Sequence, residues 1–159
     1  MENEMSAFLK KAYSTGRVRP VSEAFEEFPV EEEDHKGDIN YFVSEGVEIY
    51  GYKVGDIVFV DNFKYEDGSY GRNHLFVIVE GSNLAVPIEY FGMILSSNIK
   101  KQNYKYNVLI EKDKLNKLKK DSIVKTDALY ILTQNQILFK IGTVEKTKIE
   151  QYKELYLNQ

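Results

Sequence analysis

Three polar residues, Arg72, Asn73 and His74, stand directly before the apolar run Leu75-Phe76-Val77-Ile78-Val79. Arg72 is the only arginine after residue 19, and His74 is one of two histidines. A second polar group, Ser96-Ser97-Asn98, closes the run FGMIL and leads into Ile99, Lys100 and Lys101. These residue types suit a phosphate ester. Arginine offers a fixed, permanently charged donor fork. A hydroxyl donates to a phosphoryl oxygen or orients a ribose 2′-OH, and lysines follow backbone charge. Such a set would serve metal-free RNA cleavage, in which the 2′-OH attacks its own phosphate while the protein stabilises developing charge and moves protons. Tyr65, Tyr70, Tyr104 and Tyr106 would stack unpaired bases. Each feature also has an ordinary explanation. Ser-Ser-Asn ends many strands, a lysine pair is a solvated loop, and strand tyrosines are half-buried. From composition alone the reading stops at a small β-rich domain that binds an anion.

Other chemistries lack their residues. The chain has no cysteine, which removes disulfides, thiolate metal sites and thiol nucleophiles. His35 and His74 are far apart and neither has a neighbour at ligand spacing, so no metal site is expected. No GxGxxG, Walker loop or HExxH occurs, and no cofactor is expected. The N-terminus MENEMSAFLKKAYS is charged from its second residue, unlike a signal peptide, and no apolar run reaches spanning length. The expectation is a cytoplasmic protein with no membrane partner.

The net charge of −4 over 159 residues hides an asymmetry. Residues 1–50 hold 12 acids and 5 bases, and residues 51–159 hold 13 acids and 16 bases. An acidic segment ahead of a basic domain points to an anionic partner for which the segment competes. Residues 23–50 alone carry ten acids against one lysine, whereas nine lysines fall between Lys100 and Lys125.

The elements that must position these residues are mostly strands. Ser6 to Tyr13 reads as a short amphipathic helix with Phe8, Leu9 and Ala12 on one side. Ser22 would cap a further turn through Phe28, and the acidic stretch after it is too polar to fold alone. VGDIVFVD and HLFVIVEG read as a hairpin, followed by short strands in LAVPI, FGMILSSN and YKYNVLI. EKDKLNKLKKDS is a connection. SIVKTDALYILT is a long strand bent near Lys125 to Asp127, and ILFKIGTV is another. Thr143 would cap a C-terminal helix with Val144, Ile149, Tyr152, Leu155 and Tyr156 on one face. Many short strands and one terminal helix make a mainly β fold, a strongly bent sheet or small barrel.

In order, KVGDIVFVDNFKYEDGS, LFVIV, ILSSNIKKQNYKYNVLI, KKDSIVKTDALYIL and KIGTV resemble the PemK/MazF family of toxin endoribonucleases. KKDSIVKTD and KIGTV are the most specific blocks. The resemblance implies an SH3-like β-barrel with a C-terminal helix, a homodimer, and cleavage of single-stranded RNA without a metal. The family's arginine falls at or beside Arg72 and its threonine on Ser96, where serine keeps the hydroxyl. Aligned on LFVI, the family's Arg-Pro pair lands on Asn73-His74, one residue past Arg72. His74, whose charge changes near neutral pH, would serve as acid or base. The expected catalytic residues are therefore Arg72, Ser96 and His74. Asn73, Ser97, Asn98, Lys100, Lys101 and Tyr65 would bind RNA. The other reading is a non-catalytic RNA- or partner-binding barrel with a degenerate site. Residues 1–50 would form a mixed helical and irregular extension, antitoxin-like in EAFEEFPVEEED, and residues 51–159 the barrel. Its expected partners are single-stranded RNA, and an antitoxin or the chain's own N-terminal segment.

Overall fold

The structure is a computed structural model that describes residues 6–21, 23–24, 51–61, 73–82 and 89–159. The helix expected over Ser6 to Tyr13 is α1, Ala7–Ser14. Ser6 is its N-cap and accepts the Leu9 N–H at 3.1 Å, which satisfies one of the orphan donors of the first turn. Gly16, at φ +75°, turns the chain out of the helix. The turn expected from Ser22 through Phe28 and the strand expected in LAVPI fall largely outside the described residues.

Among the described residues eight strands form one mixed sheet. They are β1 Val18–Pro20, β2 Asp56–Asp61, β3 Asn73–Ser82, β4 Glu89–Ser96, β5 Asn107–Ile110, β6 Ser122–Lys125, β7 Leu129–Thr133 and β8 Ile137–Thr143. The expected hairpin is present, with Ile57 opposite Val77 and Phe59 opposite Leu75. Pairing follows the path β1-β7-β4-β3-β2-β8, with β6 also on β4 and β5 on β6. β4 is the hub. Its first half pairs with β7 and its last two residues pair with β6. The long strand expected from residue 122 is therefore bent as its sequence suggested, at Thr126 and Asp127. Both the N–H and the Oγ1 of Thr126 donate to the Tyr106 carbonyl there, at 3.0 and 2.7 Å.

The class is mainly β, but among the described residues the sheet does not close into the expected barrel. A strand has two edges, and those of β7 are taken by β4 and by β1, which adds in parallel from the N-terminal segment. The path thus ends at β1 instead of returning to β8.

The alternation of strand side chains gives the sheet two apolar faces. Ile57, Phe59, Leu75, Val77, Phe91, Met93 and Leu129 point to the first, which is covered by α1 and by the C-terminal helix α2, Lys146–Leu157. Leu9, Ala12, Ile149, Tyr152 and Tyr156 are buried there. Val58, Val60, Phe76, Ile78, Ile94 and Tyr130 point to the second, where Val21, Ala24 and the half-buried Tyr52 pack. The N-terminal segment therefore contributes to both faces.

Two glycines join the ends of the fold. Gly55 sits at φ +98°, and its carbonyl accepts the Val144 N–H at 2.8 Å and the Thr143 hydroxyl at 3.2 Å. Thr143 is thus not the helix cap expected from its position, because its hydroxyl is committed to Gly55. The N-cap of α2 is Glu145. Gly142 lies so close to the Asn116 backbone carbonyl that no Cβ fits. Beside this seam the buried Asp56 carboxylate accepts the Lys53 N–H at 2.9 Å and pairs with Lys140 at 3.3 Å.

Candidate nucleic-acid interface

Strands β3 and β4 bring Asn73 and His74 to the same end of the sheet as Ser96. Leu75 pairs with Leu95, and one further step of this antiparallel register sets His74 beside Ser96. Both occupy positions of the second face, continuing Phe76 and Ile94. Asn73 ends β3 opposite Asp61. Arg72 and Tyr65 lie outside the described residues.

Ser96 is half-buried, and its Oγ accepts the Asn98 N–H at 3.1 Å. This small turn ends the strand. The Asn98 carboxamide oxygen then accepts the Lys100 N–H at 3.3 Å and caps a single 3-10 turn, Ile99–Lys101. Ser97 is half-buried like its neighbours, while Lys100 and Lys101 are exposed. Eight of the nine lysines between residues 100 and 125 are exposed. The exception is Lys125, which is buried in β6 and so withdraws from the basic surface expected of this stretch.

His74 differs most from a loop residue. It is 3% exposed, sits opposite Val60 in the ladder, and meets the Phe76 ring edge-on at 6.5 Å. The ring therefore stands against the apolar second face at the strand end.

Two contacts near this end had no sequence signal. Asp127 lies against the Tyr104 hydroxyl, and the Asn107 amide donates to the Lys101 carbonyl at 2.9 Å. Asp127 is far from Tyr104 in sequence, and only the bend between β6 and β7 brings it there. Among the described residues no group of three or more His, Asp or Glu side chains comes together to hold a metal ion. No described helix is long and apolar enough to cross a membrane.

A strand-end hydroxyl, a neighbouring imidazole and exposed lysines can donate to, titrate beside and attract a phosphate backbone. Comparison with known proteins identifies the scaffold. The family model for the PemK-like, MazF-like toxin of type II toxin-antitoxin systems matches residues 53–155. No curated protein matches the chain. The matched span runs from the residue that donates to Asp56, through β4 and its polar end, into the last turns of α2. With more than half of its length matched, the chain belongs to the PemK-like, MazF-like toxin family of type II toxin-antitoxin systems.

Proposed function

We propose that the protein is a metal-independent endoribonuclease of toxin type that cleaves single-stranded RNA in the cytoplasm. The observation that carries this reading is that the family match spans a sheet whose β4 ends in Ser96, with exposed lysines following directly. In the reaction the ribose 2′-OH attacks the adjacent phosphorus and the 5′-oxygen leaves with a proton. A 2′,3′-cyclic phosphate and a 5′-hydroxyl result. Arg72 would neutralise charge on the phosphoryl oxygens, and Ser96 would hold one of them or the 2′-OH. His74, beside Ser96 by register, would move the proton. Asn73, Ser97, Asn98, Lys100, Lys101 and Tyr65 would hold the strand. A homodimer belongs to the same reading, as does an antitoxin partner, which membership of a type II system implies.

The chain's own acidic segment is a second candidate for that partner. Ala24 is buried in the second face, and Tyr52 packs on the same face with its N–H donating to the Tyr90 hydroxyl at 3.0 Å. The described residues that flank the acidic stretch thus both pack on the face whose positions continue to Ser96. Tethering at both ends gives the stretch an effective concentration of order mM. Exchange of Glu31, Glu32 and Glu33 for glutamine should raise RNA affinity, most at low salt.

One observation favours a non-catalytic, RNA- or partner-binding reading instead. The position of the family's Arg-Pro pair is held by Asn73 and His74, and His74 is almost fully buried. The deciding experiment incubates the full chain with mixed-sequence single-stranded RNA in EDTA and identifies the product ends. Cyclic-phosphate ends that vanish with Arg72→Ala support the nuclease. Salt-sensitive binding without products supports the binding module.

A further inference from the structure

We infer that Tyr104 is a base-stacking platform for single-stranded RNA, set on the connection that follows Ser96. The inference rests on the RNA-directed reading above and adds a subsite to it. Tyr104 is 49% exposed, the most exposed large apolar or aromatic side chain among the described residues. Exposure of a tyrosine on a loose loop would mean little, but this connection is held throughout. The Tyr104 N–H donates to the Lys101 carbonyl at 3.3 Å, and its own carbonyl accepts the Asn107 N–H at 2.9 Å. The Asn107 amide closes on Lys101, and Thr126 grips the Tyr106 carbonyl with two donors. The ring itself is braced. It meets Tyr106 at 5.5 Å and 69°, and the Asp127 carboxylate lies against its hydroxyl. A preset aromatic surface costs little ordering entropy when a base lands on it.

Its surroundings match single-strand binding, which combines aromatic platforms with a cationic track. Lys100 and Lys101 precede it and are exposed, and the Lys105 ammonium sits 5.0 Å over the Tyr106 ring. The distance to Ser96 suits one substrate strand. Ser96 pairs with Ile123 on one side of β6, and Asn107 pairs with Lys125 on the other. Two strand spacings of about 4.8 Å and a two-residue offset place the Cα atoms of Ser96 and Asn107 roughly 12 Å apart. Tyr104 is tied to Asn107 by the hydrogen bond above, so a short run of nucleotides reaching past that gap can place one base near the scissile phosphate and another on Tyr104.

The test measures binding of the full chain to a 2′-O-methyl RNA, which cannot undergo attack by its own 2′-oxygen, and to inorganic polyphosphate. Tyr104→Ala should weaken RNA binding roughly 5- to 100-fold, as loss of one stacked base does. Tyr104→Phe should restore most of it. Polyphosphate binding should stay unchanged in both, whereas Lys100→Ala with Lys101→Ala should weaken both ligands. Equal RNA affinity for wild type and Tyr104→Ala overturns the subsite, as does an equal loss for polyphosphate, which would mean charge alone. If unmodified RNA is not cleaved but Tyr104→Ala still weakens binding, the nuclease reading falls and the platform stands. If the wild-type chain binds no RNA, both fall.

Discussion

Leu9 of α1 and Tyr152 of α2 pack onto one face of the sheet, while Phe76 and Tyr130 lie on the other against Val21, Ala24 and Tyr52. The first face is closed by large side chains and by cross-links at its rim. Arg17 donates to the Tyr156 carbonyl at 2.7 Å with its guanidinium 4.7 Å over that ring, and the Tyr156 hydroxyl meets Thr15 Oγ1 at 2.9 Å. Lys153 lies 4.7 Å from the Phe8 ring centre and 3.4 Å from Glu80, which also accepts the Ser6 hydroxyl. The second face has smaller covers among the described residues, and its positions run out at His74 and Ser96. The cross-links gather on the helix-covered face, and the polar strand end proposed to meet RNA belongs to the other. A single N-terminal segment serves both, since α1 seals the first face, β1 extends the sheet, and Val21 and Ala24 reach the second.

The largest effect is expected at the seam that both faces share. Gly142→Ala would drive a methyl group into the Asn116 carbonyl, which is backbone and cannot rotate away. A loss of about 3 kcal/mol or more is expected, read from urea unfolding. A near-neutral result would mean that the connection over residues 111–120 shifts freely.

Leu9→Ala should cost about 3 kcal/mol, within the range for emptying a fully buried leucine site. This variant asks whether α1 is part of the fold or an attachment to it. Independence of α1 would appear as a stability change under about 1 kcal/mol, far below what a core cavity costs.

Alkaline pH probes the same face. Burial pushes the Tyr152 hydroxyl up to about 12, and burial likewise raises Tyr156. A phenol whose pKa is raised by folding keeps its proton longer in the native state. Its contribution is complete below pH 10 and is lost as pH climbs from 10 towards 12. Two pH units correspond to about 3 kcal/mol for Tyr152 alone. Unfolding followed by circular dichroism between pH 9 and 12 should show this slope, and Tyr152→Phe should flatten it.

On the second face Val21→Ala removes two methyl groups and should cost about 1.5 kcal/mol. A cost equal to that of Leu9→Ala would erase the contrast between the faces.

Much of this architecture was legible in the sequence. The hairpin of β2 and β3 follows from two β-branched runs, and the bend between β6 and β7 from Lys-Thr-Asp interrupting one. α1 follows from Ser6 and the spacing of Phe8, Leu9 and Ala12. Long-range choices left no such trace. β1 is three residues long, ends in Pro20 and gains its meaning only from the edge of β7. Thr143 has the right type for a cap, but Gly55 lies within reach of its hydroxyl. Lys125 reads as one more surface lysine until β6 is placed between β4 and β5. In the site, Ser96 was legible as a strand-ending hydroxyl. Its alignment with His74 was not, because the register of β3 on β4 includes an irregularity between Ile78 and Glu80.

Cleavage of single-stranded RNA in EDTA by the wild-type chain and by Ser96→Ala, with thermal unfolding of each recorded alongside, tests the assignment of function to the strand end most directly. The expected result is cleavage by the wild type and a loss of about 100-fold or more in the variant, the scale for removing one donor to a developing oxyanion, at an unchanged unfolding temperature. Equal cleavage by both proteins, or cleavage that appears only when a divalent metal is restored, would contradict it.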